Sequence, residues 1–227
     1  MMPAYLYILA GSLAFPLLRS FEPRVHYIGG WKKLFIAFSL TAAFFIIWDV
    51  IFTRNGVWGF NPDYLIGINL INLPVEEWLF FFVIPYCSVF IYVCLNYFLK
   101  KDVFEPYGKN VALVLGVALL IIAFLNVSRA YTFWNFLFSG VFLLIHALVW
   151  KKKYLGRFFV AYLLHLIPFL IVNGILTGTL VDEPIVWYNN QENLAIRIGT
   201  IPIEDTIYAL LLLLMNVTIY ERLKETN

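Results

Sequence analysis

An all-α fold, a polytopic membrane helix bundle of about seven transmembrane helices, is what this sequence predicts, and three observations predict it. Apolar residues make up 62% of the 227 and charged residues 13%, with a mean hydropathy of +0.83, a balance that belongs to membrane proteins. The apolar residues gather into seven runs close to the roughly 20 residues that a span needs. The basic residues then sort by side, because with seven crossings 13 of the 16 Lys and Arg share one face of the membrane.

Taken in order, the first run is Pro3 to Leu18. Met1 to Arg19 lacks a basic lead and an obvious small-residue cleavage site, so it is expected to be a retained span rather than a signal peptide. It is short enough to tilt or lie at the interface. The second run is Lys33 to Phe52, followed by a polar-then-apolar connection holding Trp58, Asn61, Gly67, Asn69 and Asn72. The third, Pro74 to Leu99, contains Cys87 and Cys94, which a helix keeps about two turns apart, so no disulfide is expected between them. The fourth is Asn110 to Val127, the fifth Tyr131 to Trp150 and the sixth Leu155 to Leu176. A second polar connection with Trp187, Asn189, Asn190, Asn193 and Gly199 leads to the seventh, Pro202 to Tyr220.

The connections with Arg19, Arg24, Lys32 and Lys33, with Lys100, Lys101 and Lys109, with Lys151, Lys152, Lys153 and Arg157, and the end with Arg222 and Lys224 lie on one side. The other side receives only Arg54, Arg129 and Arg197. By the positive-inside rule the chain is expected in the cell (inner) membrane, carboxyl terminus cytoplasmic and amino terminus outside. The basic residues are too few and dispersed for a nucleic-acid footprint.

One short motif occurs twice: Pro74-Val75-Glu76-Glu77 opens the third helix and Pro202-Ile203-Glu204-Asp205 the seventh. Proline suits the first helical position, and acids in the first turn meet the favourable end of the dipole. A plain helix start is therefore the bland explanation. An acid inside a membrane is nonetheless costly and by default functional, and these helices run in the same direction, so all four acids fall near the non-cytoplasmic face. Repetition extends further, with Trp58 sixteen positions before Pro74 and Trp187 fifteen before Pro202. The expected organisation is two parallel three-helix repeats, residues 1–100 and 131–227, joined by a connector helix within 101–130 and related by an axis along the membrane normal.

These motifs, with the tract Trp48-Asp49 through Trp58 and Asn61-Pro62, resemble the integral-membrane lycopene cyclases, which occur as paired bacterial subunits, as one fused chain, or as the cyclase half of a fungal fusion with phytoene synthase. The resemblance covers essentially the whole chain. It implies cyclisation of the acyclic ends of lycopene to β-rings with no net redox change, with no cofactor and a carotenoid as substrate. One departure is Asp205 where the first motif has Glu77.

The chemistry fits the residues. Closing a ring on a polyene needs a proton delivered to an alkene, attack by a neighbouring double bond on the cation, and removal of a different proton. Burial and a neighbouring like charge disfavour ionisation, so one carboxyl can hold a proton while a partner stays ionised. Adjacent residues point about 100° apart on a helix, so one of each pair faces substrate. Glu76 and Glu204 are expected as donor or acceptor, with Glu77 and Asp205 orienting them. Trp78, Phe80, Phe81, Phe82, Tyr86 and Tyr208 are candidates to stabilise the cation, although most aromatics in such a chain pack or sit at the interface. Asp49 and Asn173 are candidates to orient the acids, and Arg54 and Arg197 to keep a carboxylate ionised.

Other classes fare worse. No Gly-x-Gly-x-x-Gly supports a flavin site. His26, His146 and His165 are too scattered for a di-iron centre, so no metal is expected. No lysine lies inside helix seven for a retinal Schiff base. A proton-coupled carrier would spread polar groups through the bilayer, whereas the acids here form one layer. A non-catalytic carotenoid-binding scaffold stays open at this level, as do a homo-oligomer and an assembly with other carotenoid enzymes.

Overall fold

The computed structural model describes residues 3–225; Met1 and Met2, at the head of the expected first span, lie outside them. Seven helices form the bundle: α1 (Ala4–Arg19), α2 (Trp31–Arg54), α3 (Val75–Phe98), α4 (Glu105–Leu125), α5 (Ala130–Leu144), α6 (Leu155–Leu176) and α7 (Ile203–Glu225). Six spans are long and apolar enough to cross a membrane, while α1, with 16 residues, is shorter. This is a membrane protein. A π-helical stretch, Ile145–Trp150, prolongs α5.

Two helices overrun their expected limits by five residues. The fourth starts at Glu105, five residues early, with proline in its first turn, where the missing N–H is not needed. The seventh continues to Glu225, past the apolar run, and its polar end is tied down by Lys152 Nζ donating to Glu225 at 2.7 Å and Lys224 Nζ donating to Glu221 at 3.0 Å. Hydropathy marks only apolar stretches, so polar helix ends escape it.

The helical bundle carries small strands that periodicity does not announce. β1 (Trp58–Phe60) pairs antiparallel with β4 (Val186–Tyr188), Trp58 opposite Tyr188. This ribbon joins the two long polar connections at one end of the bundle. β2 (Asn69–Leu70) with β3 (Leu73–Pro74), and β5 (Arg197–Ile198) with β6 (Ile201–Pro202), are tight hairpins leading directly into α3 and α7. The first turns through Ile71 at φ 63° and the second through Gly199 at φ 63°. Backbone hydrogen bonds close each hairpin alike, Val75 N to Ile68 O and Ile203 N to Ile196 O, both 2.9 Å.

α3 and α7 touch each other at the centre. α3 also packs on α1, α2 and α6, and α7 on α5, α2 and α6, while α4 lies outside against α5 and α6. Glycines let α4 come close. A Cβ on Gly108 would lie 2.4 Å from the Gly156 backbone, and one on Gly116 would lie 3.1 Å from Gly140 O. Such small-residue contacts are how helices associate in lipid, where no hydrophobic force draws them together.

The interior is strongly aromatic. Phe45 stacks between Trp48 and Phe81 at 5.8 and 6.0 Å, and Phe44, Trp48 and Phe138 fill the space between α2, α5 and α7. His146 belongs to packing at the opposite end, its Nδ1 donating to Phe142 O and its Nε2 hydrogen-bonded to Thr218 Oγ1, both at 2.8 Å. Large apolar side chains such as Val114 and Leu125 remain exposed on α4, as expected of a lipid-facing surface.

Candidate active site

The two acidic helix starts meet in the interior. Pro74 and Pro202 end the β3 and β6 strands, one residue ahead of the first helical position expected for them, so the acids occupy the first turns of α3 and α7. Within each pair, one residue turns back to its own loop. Glu76 Oε1 accepts from Ile66 N at 2.7 Å, and Glu204 Oε1 accepts from Leu194 N and Thr132 Oγ1, each at 2.7 Å. Both residues are completely buried, and the second oxygen of each meets no donor.

Their neighbours look the other way. Glu77 and Asp205 line one buried chamber of about 70 Å³, together with Asp49 from α2. Of the four acids it is therefore Glu77 and Asp205 that face the chamber, while Glu76 and Glu204, expected as donor or acceptor, bond to the backbone N–H groups of Ile66 and Leu194. A rotation of about 100° per residue separates the two roles.

Each chamber acid has its own set of donors. Asp205 Oδ1 accepts from Tyr131 OH at 2.5 Å, and its Oδ2 from Asn173 Nδ2 at 2.7 Å and Tyr188 OH at 3.0 Å. Glu77 Oε2 accepts from Tyr5 OH at 2.5 Å. Asp49 Oδ1 accepts from Trp58 Nε1 at 2.5 Å and Thr53 Oγ1 at 3.1 Å. Asp49 Oδ2 is buried and meets no donor. Burial, and then the Asp205 carboxyl beside it, push the Tyr188 phenol well above its ordinary range, so it stays a hydrogen-bond donor.

The walls between the acids are aromatic: Trp58, Phe60, Phe80, Tyr131, Tyr188 and Tyr208. Tyr131 and Tyr188 stack at 5.8 Å, and Trp58 meets Tyr131 edge-on at 5.0 Å. Polar edges bind the carboxyls while ring faces remain for a cation. The chamber does not end blind. Phe80, Ile84, Ser88, His165, Phe169 and Asn173 also line a much larger apolar cleft of about 710 Å³ between α1, α3 and α6. At this junction Ser88 Oγ and His165 Nδ1 are 3.0 Å apart.

Asp49, Asn173, Phe80 and Tyr208 sit at the chamber, and Asn173 contacts an acid directly. Six other candidates do not. Trp78 directs its Nε1 to Leu70 O at 3.3 Å in the hairpin, and Phe81 is buried in the core against Phe45. Arg54 is exposed at the end of α2, and Arg197 spends its guanidinium on Thr200 O and Asn190 Oδ1. Among the described residues neither arginine pairs with an acid of the chamber. Phe82 and Tyr86 line a separate groove beside α2.

Sequence reasoning missed Tyr5, Tyr131 and Tyr188 and read Trp58 only as part of a motif. A signal existed for two of them, since Ala4-Tyr5 and Ala130-Tyr131 open α1 and α5 with the same dipeptide. Trp187, the expected counterpart of Trp58, is exposed and lies against Gly59, and Tyr188 takes the inward position. Among the described residues no three of His, Cys, Asp and Glu are grouped to ligate a metal ion.

Comparison with known proteins points one way. A family model described as lycopene cyclase matches residues 3–95 and 128–223. A bifunctional lycopene cyclase/phytoene synthase of Neurospora crassa is 30% identical over 89 residues, covering 39% of this chain and 14% of that protein. The like-named protein of Podospora anserina is 28% identical over 94 residues, covering 41% and 14%, and that of Colletotrichum graminicola 38% over 61, covering 26% and 10%. The match therefore spans about one seventh of the first two relatives' length. No solved structure matches.

Proposed function

This chain belongs to the lycopene cyclase family, and from that premise we propose that it closes the acyclic ends of lycopene to β-rings by acid–base catalysis, without cofactor or net redox change. The observation that carries the reading is the shared chamber: three buried carboxyls from α2, α3 and α7 face one space that opens into an apolar cleft. A polyene end can enter sideways from lipid, lose its contact with water, and meet both a proton source and a proton acceptor. The cleft follows α3 from Phe80 to Leu99, about 28 Å at 1.5 Å per residue, and so offers an extended hydrocarbon a bed along the helix.

Glu77 and Asp205 are the residues we assign to proton transfer. Tyr5, Tyr131, Tyr188 and Asn173 hold them, and Trp58, Phe80 and Tyr208 shield the cation. Two repeats, residues 1–100 and 131–227, with a connector in 101–130, account for this convergence. Three parallels support them: Ile66–Glu76 with Leu194–Glu204, Tyr5–Glu77 with Tyr131–Asp205, and the packing of α1 on α3 with that of α5 on α7. The family match, which leaves out the whole of α4, is consistent with a connector there. The basic connections support a cytoplasmic carboxyl terminus, with the chamber near the opposite face of the cell membrane.

Expression in a lycopene-producing host tests the reading. Cells with the unaltered chain accumulate cyclic carotenoid, and Glu77→Gln or Asp205→Asn lowers the yield by about 10²-fold or more, the usual weight of a general acid or base. Lycopene left uncyclised by the well-expressed unaltered chain would make it a carotenoid-binding scaffold, and ring formation unchanged by either amide would move proton transfer to other residues.

A further inference from the structure

The hydrogen-bond partners of the three chamber carboxyls differ in a way that fixes which of them holds the proton. Asp205 accepts three donors, from Tyr131, Asn173 and Tyr188, spread over both oxygens. Neutral phenols and an amide arranged like this stabilise an ionised carboxylate, and leave it no hydrogen bond that needs a proton of its own. Asp49 and Glu77 are the opposite case. Asp49 is 1% exposed and its Oδ2 meets no N–H or O–H of the protein. The Glu77 carboxyl lines the same chamber, and one of its oxygens is already taken by Tyr5. Two carboxylates have acceptors only, so they can bond to each other only when a proton lies between them. Leaving two like charges together without that proton, away from water, is the costly alternative.

We propose that Asp49 and Glu77 share one proton and act together as the acid, and that Asp205 is the carboxylate that receives the proton released. This rests on the cyclase reading above and makes Asp49 a catalytic residue in it. The shared proton moves to the CH carbon of the terminal alkene, whose π electrons form the new C–H bond and leave a tertiary cation. The next alkene along the chain attacks through its CH carbon, its π electrons forming the ring C–C bond and leaving the cation on its methyl-bearing carbon. Asp205 takes the proton from the adjacent ring-junction carbon, and the electrons of that C–H bond become the ring double bond. One proton enters and one leaves, so nothing is oxidised or reduced. The dyad then regains a proton as Asp205 gives one up.

Membranes carrying the full chain, given lycopene in D₂O, separate the two roles by mass spectrometry. The unaltered chain places one deuterium in each ring. With Asp49→Asn, an amide N–H replaces the shared proton, ring formation falls about 10²-fold, and recovered lycopene stays unlabelled. Asp49→Glu, which keeps a carboxyl, retains labelling. With Asp205→Asn the normal ring is lost, yet deuterium still enters recovered lycopene, or rings with a displaced double bond, because protonation precedes the missing step. Near-normal rings or labelling with Asp49→Asn, no labelling with Asp49→Glu, or an Asp205→Asn chain as unlabelled as Asp49→Asn would each overturn the assignment. An unaltered chain that forms no rings removes the cyclase reading and this assignment with it, a result distinct from a failure confined to the variants.

Discussion

Glu204 and Asp205 show how much a single position decides. Their side chains are chemically alike and equally buried, yet one accepts the Leu194 N–H and Thr132 hydroxyl of its own surroundings and the other faces a chamber. The doubled motif marked the right helix starts, and Asp49, Asn173, Phe80 and Tyr208 were legible beside it. Which member of each pair points inward was not, because that depends on where the hairpin before the helix ends. The tyrosines were hidden for another reason: in a chain with 14 Tyr, only their hydrogen bonds distinguish them. The orientation of each pair makes a direct prediction. Glu76→Gln and Glu204→Gln keep the accepting oxygen, so pigment yield stays within a few-fold of the unaltered chain, while Asp205→Asn abolishes it. Glu204→Ala instead strands a buried N–H and hydroxyl and lowers stability by about 1–3 kcal/mol, read as earlier thermal unfolding in detergent.

At the scale of elements, hydropathy located all seven helices because lipid demands long apolar runs. It missed the start of α4 and the end of α7, which are polar, and the strands, whose two or three residues carry no period. Those strands nevertheless matter most for the site, since the β1–β4 ribbon brings Trp58 and Tyr188 onto Asp49 and Asp205. Glycine explains how α4 is held. A Cβ on Gly156 would lie 2.4 Å from Phe104 O at the start of α4, and backbone, unlike a flexible side chain, gives way only by separating the helices. Gly156→Ala is therefore expected to cost about 1–3 kcal/mol, visible as a lower melting temperature. Gly11→Ala, with nothing within 4 Å, serves as the comparison and leaves the temperature unchanged.

Across the whole molecule, the proposed repeats suggest two equivalent routes into the chamber, and the two places differ in packing. Between α1, α3 and α6 the bundle leaves a cleft of about 710 Å³. At the corresponding place between α5, α7 and α2, Phe44, Trp48 and Phe138 pack edge-to-face at 5.3 to 6.0 Å and fill it. On the proposed duplication, paired acids came with the copies and the open cleft with later divergence of packing, a difference invisible to motif spacing because aromatics occur throughout. Ile84 stands where cleft and chamber join. Ile84→Trp would fill that throat while every carboxyl and every donor side chain stays in the sequence. Ring formation is expected to fall on the order of 10²-fold, as when a reacting carbon is held short of its acid, with Glu77, Asp205 and Asp49 intact. Leu125→Trp, on the exposed face of α4, adds the same bulk where lipid accommodates it and leaves the rate unchanged. Equal turnover in the two variants would mean that the hydrocarbon reaches the acids by some path other than this cleft.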